Sequence, residues 1–210
     1  GDIFRRAARE HLRSLAERVV ELDASRTDAY RIERAEESLA FEHKGRSFGG
    51  RADRIDRSRD GRRVVIDYKT GAVDKTGKTI RKKALAGFEP PEEKLWQIPL
   101  YCRGAGGAAS SPGAPDAPST PGAQRAGERY PALFCYYVVQ PEGESFVAGV
   151  AVRGVGEGPG ESGPAAGVFD EKLSKRFSYL TPDEIERSLD EAAASADEIF
   201  SERAEYERTS

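Results

Sequence analysis

A short apolar run that ends in an acid and a base constrains the fold of this chain more than any other stretch. Residues 64–71 read VVIDYKTG, a pattern that predicts a short and largely buried β-strand. Because side chains alternate between the two faces of a strand, Val65, Asp67 and Lys69 share one face. Charged groups are costly to bury unless they are paired or bound to a metal. Asp67 and Lys69 are therefore candidates for metal-assisted chemistry on an anion.

The residues around this run predict a helix followed by a three-stranded meander. We expect an amphipathic helix over 3–22, then strands over about 36–42, 47–56 and 63–69, with a turn at 44–46. Two glycines in the second of these strands, Gly49 and Gly50, indicate a bulge or a close approach to the backbone. A later helix over 92–102 contains Pro99, which either kinks it or places its true start near Leu95.

The second half of the chain predicts further strands and a closing helix. Residues 104–127 are rich in Gly, Ala, Ser and Pro, so they cannot bury enough surface to offset their ordering entropy. We expect them to be a disordered insertion within one domain spanning residues 1–210. Buried strands are predicted over 133–140 and 145–152, a flexible loop over 154–167, and a helix from 181 to about 205. The fold class is α/β, a mixed central β-sheet flanked by helices.

Composition limits the class of protein. The chain has 210 residues, of which 38% are hydrophobic and 33% charged, which suits a soluble globular domain. It contains no apolar run near the roughly 20 residues that span a membrane and no visible leader. We therefore expect no membrane partner. The two cysteines, Cys102 and Cys135, are too few for a disulfide framework, so we expect reduced thiols in a cytoplasmic protein. Because the sequence lacks methionine and begins with Gly1, we also expect it to be excised from a longer protein.

The loop between the second and third strands decides which acid faces Asp67. A two-residue loop at 60–61 would put Asp56 on the face of Asp67. A three-residue loop at 59–61, with its glycine at positive φ, would put Asp53 directly opposite Asp67. The turn sequence permits both registers. Chemistry favours the second, because directly opposite residues have Cβ atoms about 5 Å apart and can share one cation.

Two facing carboxylates repel each other unless a cation or a proton lies between them. Magnesium suits such a site, since it binds through one or two carboxylates, waters and substrate phosphate oxygens. Lys69, on the same face, could orient or deprotonate a water, or neutralise charge that builds on phosphorus. The implied reaction is metal-assisted hydrolysis of a phosphodiester.

Three motifs in this order resemble a known nuclease family. Residues 50–56 read GRADRID, 65–71 read VIDYKTG, and 97–101 read QIPLY. Together they resemble the nuclease domain of the PD-(D/E)XK superfamily, in particular the RecB/AddB-like branch of helicase–nuclease DNA repair proteins. The resemblance implies a restriction-endonuclease-like core, Mg²⁺ (with Mn²⁺ as a substitute), a DNA substrate, and a linked or partner helicase.

The resemblance also implies roles for single residues. Asp53 and Asp67 resemble the metal-binding acids of the family, and Lys69 resembles its catalytic lysine. The carbonyl of Tyr68 would be a backbone ligand of the metal.

Further site residues follow from the same resemblance. Glu36 resembles the upstream acidic residue of the family, with Glu37 as an alternative. Gln97 and Tyr101 resemble its Gln-x-x-x-Tyr signature, and their i, i+4 spacing places both on one face of a helix. AddB-type relatives carry four cysteines for an iron–sulfur cluster, whereas this chain has two. We therefore expect no iron–sulfur cluster in this chain.

Basic residues near the predicted site indicate contacts with the phosphate backbone of DNA. No recognition helix or zinc finger is visible, so these contacts would be independent of base sequence. The residues expected to bind nucleic acid are Arg51, Lys75, Lys78, Arg81, Lys82 and Lys83. The arginines that add positive charge to the hairpin are Arg51, Arg54, Arg57, Arg59, Arg62 and Arg63.

The function predicted from these observations is metal-dependent DNA cleavage, by an exonuclease acting in repair or recombination on strands that a helicase delivers. One alternative is a catalytically inactive nuclease fold that serves as a DNA-binding or scaffolding module. The other is a stand-alone restriction-like endonuclease, which should carry an element that reads base sequence.

Overall fold

The structure is a computed structural model and describes residues 2–70, 78–81, 96–107, 129–140, 144–155, 165 and 167–209. Its elements, in chain order, are α1 Asp2–Ala24, β1 Tyr30–His43, β2 Arg46–Ser58, β3 Arg63–Lys69, α2 Gln97–Gly107, β4 Leu133–Val138, β5 Phe146–Val152, α3 Glu171–Ser174, β6 Phe177–Leu180 and α4 Pro182–Thr209.

The six strands form one mixed sheet in which the spatial order follows the chain order, β1 to β6. The strand pairs β1–β2, β2–β3 and β4–β5 are antiparallel, whereas β3–β4 and β5–β6 are parallel. Parallel neighbours need a crossover connection, and α2 lies in the connection between β3 and β4. The predicted α/β class with a mixed central sheet is confirmed.

The core lies in the centre of the sheet. All residues of β4 and β5 are buried, as are Val64, Val65 and Ile66 of β3. Strands that are covered on both faces read as continuous apolar runs, which is why the sequence predicts them well. At the end of the chain, the Thr181 hydroxyl accepts from the Glu184 amide, and the Glu184 carboxylate accepts from the Thr181 amide. This capping box fixes the start of α4.

Several element bounds differ from those predicted. Strand β1 begins at Tyr30, ahead of the predicted start near residue 36, and has a β-bulge between Ile32 and Arg34. Its first half is polar and is held by the ladder to β2, so its side chains carry little apolar signal. The sequence did not predict α3 and β6, because each has only four residues and shows no periodicity.

Helix α2 bears on two expectations, the effect of Pro99 and the start of the insertion. It begins at Gln97, consistent with a true start near Leu95 rather than with a kink, although residues 91–95 lie outside the described part of the chain. It also continues to Gly107, so residues 104–107 are helical and not part of a disordered insertion. The rest of that insertion, 108–127, lies outside the described residues, as do most of the predicted loop 154–167 and residues 141–143.

Glycines explain why the end of α2 stays helical. A Cβ on Gly104 would lie 2.9 Å from the Leu39 Cβ of β1, and one on Gly106 would lie 1.5 Å from the Arg129 carbonyl oxygen. The helix therefore packs directly on its neighbours here, and that packing offsets the entropic cost of glycine in a helix. No helix in the described part of the chain is long and apolar enough to cross a membrane.

The two hairpin turns set the register of the meander. Lys44 and Gly45 both have positive φ, 48° and 72°, as a two-residue turn of this hairpin requires. The second loop has three residues, 59–61, because the Ser58 amide donates to the Arg62 carbonyl and Gly61 has a φ of 88°. This is the longer of the two loops that the sequence permits.

We predict that Gly61→Val lowers the free energy of unfolding by about 1–2 kcal/mol, the cost of a left-handed conformation for an L-residue. A Cβ at Gly61 meets no atom within 4 Å, so this cost is purely conformational. Gly61→Asn should cost clearly less, because asparagine tolerates this region. Urea denaturation of the three proteins tests the ranking, and a Val variant as stable as the wild type would contradict the loop geometry.

Candidate active site

The register of the β2–β3 hairpin brings two acids together. The last regular pair of its ladder joins Arg54 to Ile66, so the next position along places Asp53 opposite Asp67. This confirms the register with the three-residue loop. Asp56 lies on the other face of the sheet, because it is three positions from Asp53.

Asp67, Lys69 and Gln97 form a closed triangle at the end of β3. The Lys69 Nζ lies 2.6 Å from Asp67 Oδ2 and donates to Gln97 Oε1 at 3.3 Å. The Gln97 Nε2 donates to Asp67 Oδ1 at 2.6 Å. Each side chain therefore contacts the other two, and the first turn of α2 fixes both charged groups of the strand.

Burial makes the ionised form of Asp67 unfavourable. The residue is 3% exposed, and burial raises the pKa of its carboxyl above the usual range. The contacts with Lys69 and Gln97 oppose this increase, while the charge of Asp53 adds to it. A second positive charge near Asp67 would lower the energy of its ionised form.

Asp53 is held by the backbone of β3. Its Oδ2 accepts a hydrogen bond of 2.8 Å from the Tyr68 amide. Asp53 therefore lies beside Tyr68, the residue whose carbonyl was expected to be a metal ligand. The two carboxylates and this carbonyl are hard oxygen donors of the kind that Mg²⁺ prefers.

The donor set fits a magnesium ion that completes its shell with water or phosphate. Among the described residues, no three His, Cys, Asp or Glu side chains gather into a group that could hold a metal. Two carboxylates are enough for Mg²⁺, which usually keeps several waters. The raised pKa of Asp67 agrees with this, because a cation between Asp53 and Asp67 would remove their repulsion.

The upstream acids lie beside this centre. Glu36 falls between two pairs of the β1–β2 ladder, Ala35–Arg54 and Glu37–Ala52, which places it next to Asp53 across the strands. Its φ is 53°, an uncommon value for a residue other than glycine.

Both upstream acids have arginine partners. Glu36 Oε2 lies 3.0 Å from Arg51 Nε in an exposed ion pair, and Glu37 pairs with Arg34. Neither acid has a contact with the Asp67–Lys69–Gln97 triangle in the described structure, so a role for Glu36 stays a prediction.

Tyr101 serves the site differently from Gln97. Its hydroxyl donates to the Arg51 carbonyl at 2.7 Å, and its ring lies so close to Gly50 that a Cβ there would be 2.7 Å from the ring. The close approach predicted for the glycine pair is thus that of the Tyr101 ring to the β2 backbone. Tyr101 anchors α2 to β2, one turn from Gln97.

Tyr136 is a neighbour of the site that sequence reasoning missed. It lies opposite Asp67 in the parallel β3–β4 ladder and is 1% exposed. The Lys69 Nζ lies 5.6 Å from its ring centroid. Burial and the charge of Asp67 raise the pKa of its phenol, so it stays protonated. Only the register of a parallel pair, which no turn fixes, could have revealed it.

The basic residues of the hairpin are less free than their sequence suggests. Five of the six arginines counted there form ion pairs with acids of the fold, namely Arg51, Arg54, Arg57, Arg62 and Arg63. Arg51 and Arg59 are exposed, although Arg51 pairs with Glu36. The positive charge available on this hairpin is therefore smaller than predicted.

The loop after β3 is only partly described. Lys75, Lys82 and Lys83 lie outside the described residues, and 78–81 form a helical turn anchored by the buried Ile80. Lys78 is exposed. Arg81 donates to the Tyr179 carbonyl at 2.6 Å and pairs with Glu184, contacts that would compete with a phosphate.

Comparison with known proteins agrees with this geometry. The family model described as the PD-(D/E)XK nuclease superfamily matches residues 2–209, which is nearly the whole chain. No curated protein matches it significantly.

The raised pKa of Asp67 predicts a pH signature. The folded protein binds the Asp67 proton more tightly than the unfolded chain does, so its contribution to stability is full below about pH 4 and is lost as the pH rises. In EDTA, Asp67→Asn should therefore gain stability relative to the wild type between about pH 4 and pH 7. Urea denaturation at both values measures the difference.

Asp190 supplies the opposite control. Hydrogen bonds from Lys44 and His43 lower the pKa of its carboxyl, so the stability that this carboxylate contributes is present above about pH 4 and is lost as the pH falls below it. Between about pH 4 and pH 7, Asp190→Asn should therefore show no gain in stability relative to the wild type. If the stability of Asp67→Asn changed with pH in the same way as that of Asp190→Asn, the raised pKa of Asp67 would be refuted.

Proposed function

The chain belongs to the PD-(D/E)XK nuclease superfamily, and from this premise we propose that it is a Mg²⁺-dependent deoxyribonuclease that hydrolyses phosphodiester bonds at the Asp53–Asp67 centre. The observation that carries the proposal is the triangle of Asp67, Lys69 and Gln97 with Asp53 across the hairpin. A lysine and a glutamine that both contact one buried carboxylate are a costly arrangement for a purely structural strand.

Asp53, Asp67 and the Tyr68 carbonyl would hold the metal. When bound, Mg²⁺ would supply positive charge to a phosphate oxygen and lower the pKa of a bound water. Mn²⁺, which prefers similar oxygen ligands, could replace it.

Lys69 is the group that acts on the reacting atoms. The Lys69 side chain is 35% exposed, so it can reach a substrate while it stays bound to Asp67. In this position it can orient the attacking water or offset charge that builds on the phosphate oxygens. Gln97 holds the ammonium in place by accepting a hydrogen bond from it, and Tyr101 fixes the helix that carries Gln97.

We further propose that the enzyme is a RecB/AddB-like exonuclease of DNA repair or recombination, cytoplasmic and supplied with strands by a linked or partner helicase. The support for this finer assignment is the order of its three motifs, GRADRID, VIDYKTG and QIPLY. Contacts with DNA would be mainly to the backbone.

A nuclease assay tests the activity. Linear and circular DNA, single- and double-stranded, would be incubated with Mg²⁺ and the wild type, Lys69→Ala or Lys175→Ala. We expect Lys69→Ala to lose at least about 100-fold in rate. Lys175→Ala changes an exposed lysine far from the triangle in sequence, and we expect it to lose nothing.

Other outcomes of this assay would favour a different function or a different catalytic residue. DNA binding without cleavage would favour the inactive DNA-binding module. Cleavage that is unaffected by Lys69→Ala would place the chemistry elsewhere. Rapid cutting of circles would contradict an exonuclease and favour the endonuclease.

Phosphate contacts predict a dependence on salt. Arg51→Ala and Lys78→Ala should each weaken DNA binding equally for unrelated sequences. Each should also reduce the slope of log affinity against log salt concentration by about 1. Fluorescence anisotropy at several salt concentrations, with Lys175→Ala as the control, measures both effects. An unchanged slope would remove that residue from the proposed DNA-binding surface.

A further inference from the structure

A buried network of charges lies directly behind the site, on the opposite face of the sheet. The Arg54 guanidinium donates to both oxygens of Asp56, at 2.7 and 2.8 Å, and to Asp23 Oδ2 at 2.8 Å. Arg26 also donates to Asp56 and binds both oxygens of Asp28. The sequence analysis counts Arg54 among the arginines that add positive charge to the hairpin.

Stability alone does not account for this network. The Arg26 and Asp56 side chains are fully buried, and that of Arg54 is 6% exposed. Moving such charges out of water costs about as much as their attraction returns, and apolar residues of similar volume often serve the fold as well. What the charges add is fixed geometry, since a bidentate guanidinium–carboxylate pair permits few orientations.

The network ends on a residue of the site. Arg54 Nη1 donates to the Tyr68 hydroxyl at 3.1 Å. The neighbouring residue, Asp53, accepts from the Tyr68 amide at 2.8 Å on the other face. Two consecutive residues of β2 therefore hold Tyr68 from both sides of the sheet, one through its side chain and one through its backbone.

We propose that Arg54 is a positioning residue, which fixes the Tyr68 peptide and thereby the spacing of the Asp53 carboxylate and the Tyr68 carbonyl. The ladder between β2 and β3 has its last regular pair at Arg54 and Ile66. Beyond that pair, the end of β3 has no regular pairing with β2, and the contacts from Asp53 and Arg54 replace it. This role rests on the proposed function, because that proposal makes the Tyr68 carbonyl a metal ligand.

The same contacts join α1 to the site. Asp23 belongs to the last turn of α1 and binds the same Arg54 Nη1 that reaches Tyr68. A displacement of the end of α1 would therefore move the Arg54 guanidinium and change its hydrogen bond to Tyr68. This connection makes Asp23 the outer member of the positioning chain.

Tyr68→Phe tests the proposal without breaking the charge pairs. It removes the hydroxyl and leaves the backbone amide, the carbonyl and the Arg54–Asp56 pair intact, whereas Arg54→Ala would strand buried Asp56 and endanger folding. Tyr130→Phe is the matched control, because it removes a buried phenol hydroxyl that donates to Glu186 of α4 and not to a residue of the site.

Two quantities would be measured. In the metal-free protein, hydrogen exchange of the residue-68 amide should become about fivefold faster in Tyr68→Phe, the factor expected for loss of one hydrogen bond. The Mn²⁺ affinity, measured by calorimetry, should fall about tenfold. Saturating Mn²⁺ should restore kcat. Tyr130→Phe should change neither the amide nor the affinity, and Asp23→Asn should shift both in the same direction as Tyr68→Phe, but less.

The outcomes distinguish a failure of the positioning role from a failure of the proposed metal centre. Unchanged exchange of the residue-68 amide in Tyr68→Phe overturns the positioning role, as does an equal effect of Tyr130→Phe. If the wild type does not bind Mn²⁺, or if Asp67→Asn binds it as well as the wild type, the proposed metal centre fails instead. The exchange data on the metal-free protein then decide the positioning role by themselves.

Discussion

The structure depends on one costly interaction, a carboxylate buried at the end of a central strand. Asp67 is held there by Lys69 and by Gln97 of α2, and its pKa is raised by burial even so. Strand β3 supplies the acid and the base, and the crossover helix supplies the amide that orders them. The fold thus builds a charged site from elements that are otherwise apolar.

The geometry on both faces of the sheet has a common origin in β2. Consecutive residues of a strand point to opposite faces, so Asp53 reaches the site while Arg54 enters the charge network behind it. One hairpin register places both, and that register follows from the loop with Gly61 at positive φ. A local turn therefore determines the spacing of two acids and also the contacts of Tyr68.

The sequence predicts the parts of this site that depend on local rules. The alternation of β3 places Asp67 with Lys69, and a permitted turn places Asp53 across from them. The i, i+4 spacing places Gln97 with Tyr101. The rest depends on pairing between distant segments. Arg26 and Asp56 are 30 positions apart, and Tyr136 meets Asp67 through a parallel pairing that no turn fixes. The polar start of β1 and the four residues of β6 carry too little apolar pattern to be predicted.

A crystal structure with Mn²⁺ tests the central claim most directly. Anomalous scattering locates the ion without assumptions about its ligands. The account predicts one peak between Asp53 and Asp67, within bonding distance of a carboxylate oxygen of each and of the Tyr68 carbonyl, and no peak there in Asp67→Asn. A folded wild type whose only Mn²⁺ ions lie elsewhere, with the Asp67–Lys69–Gln97 triangle unchanged, would contradict it.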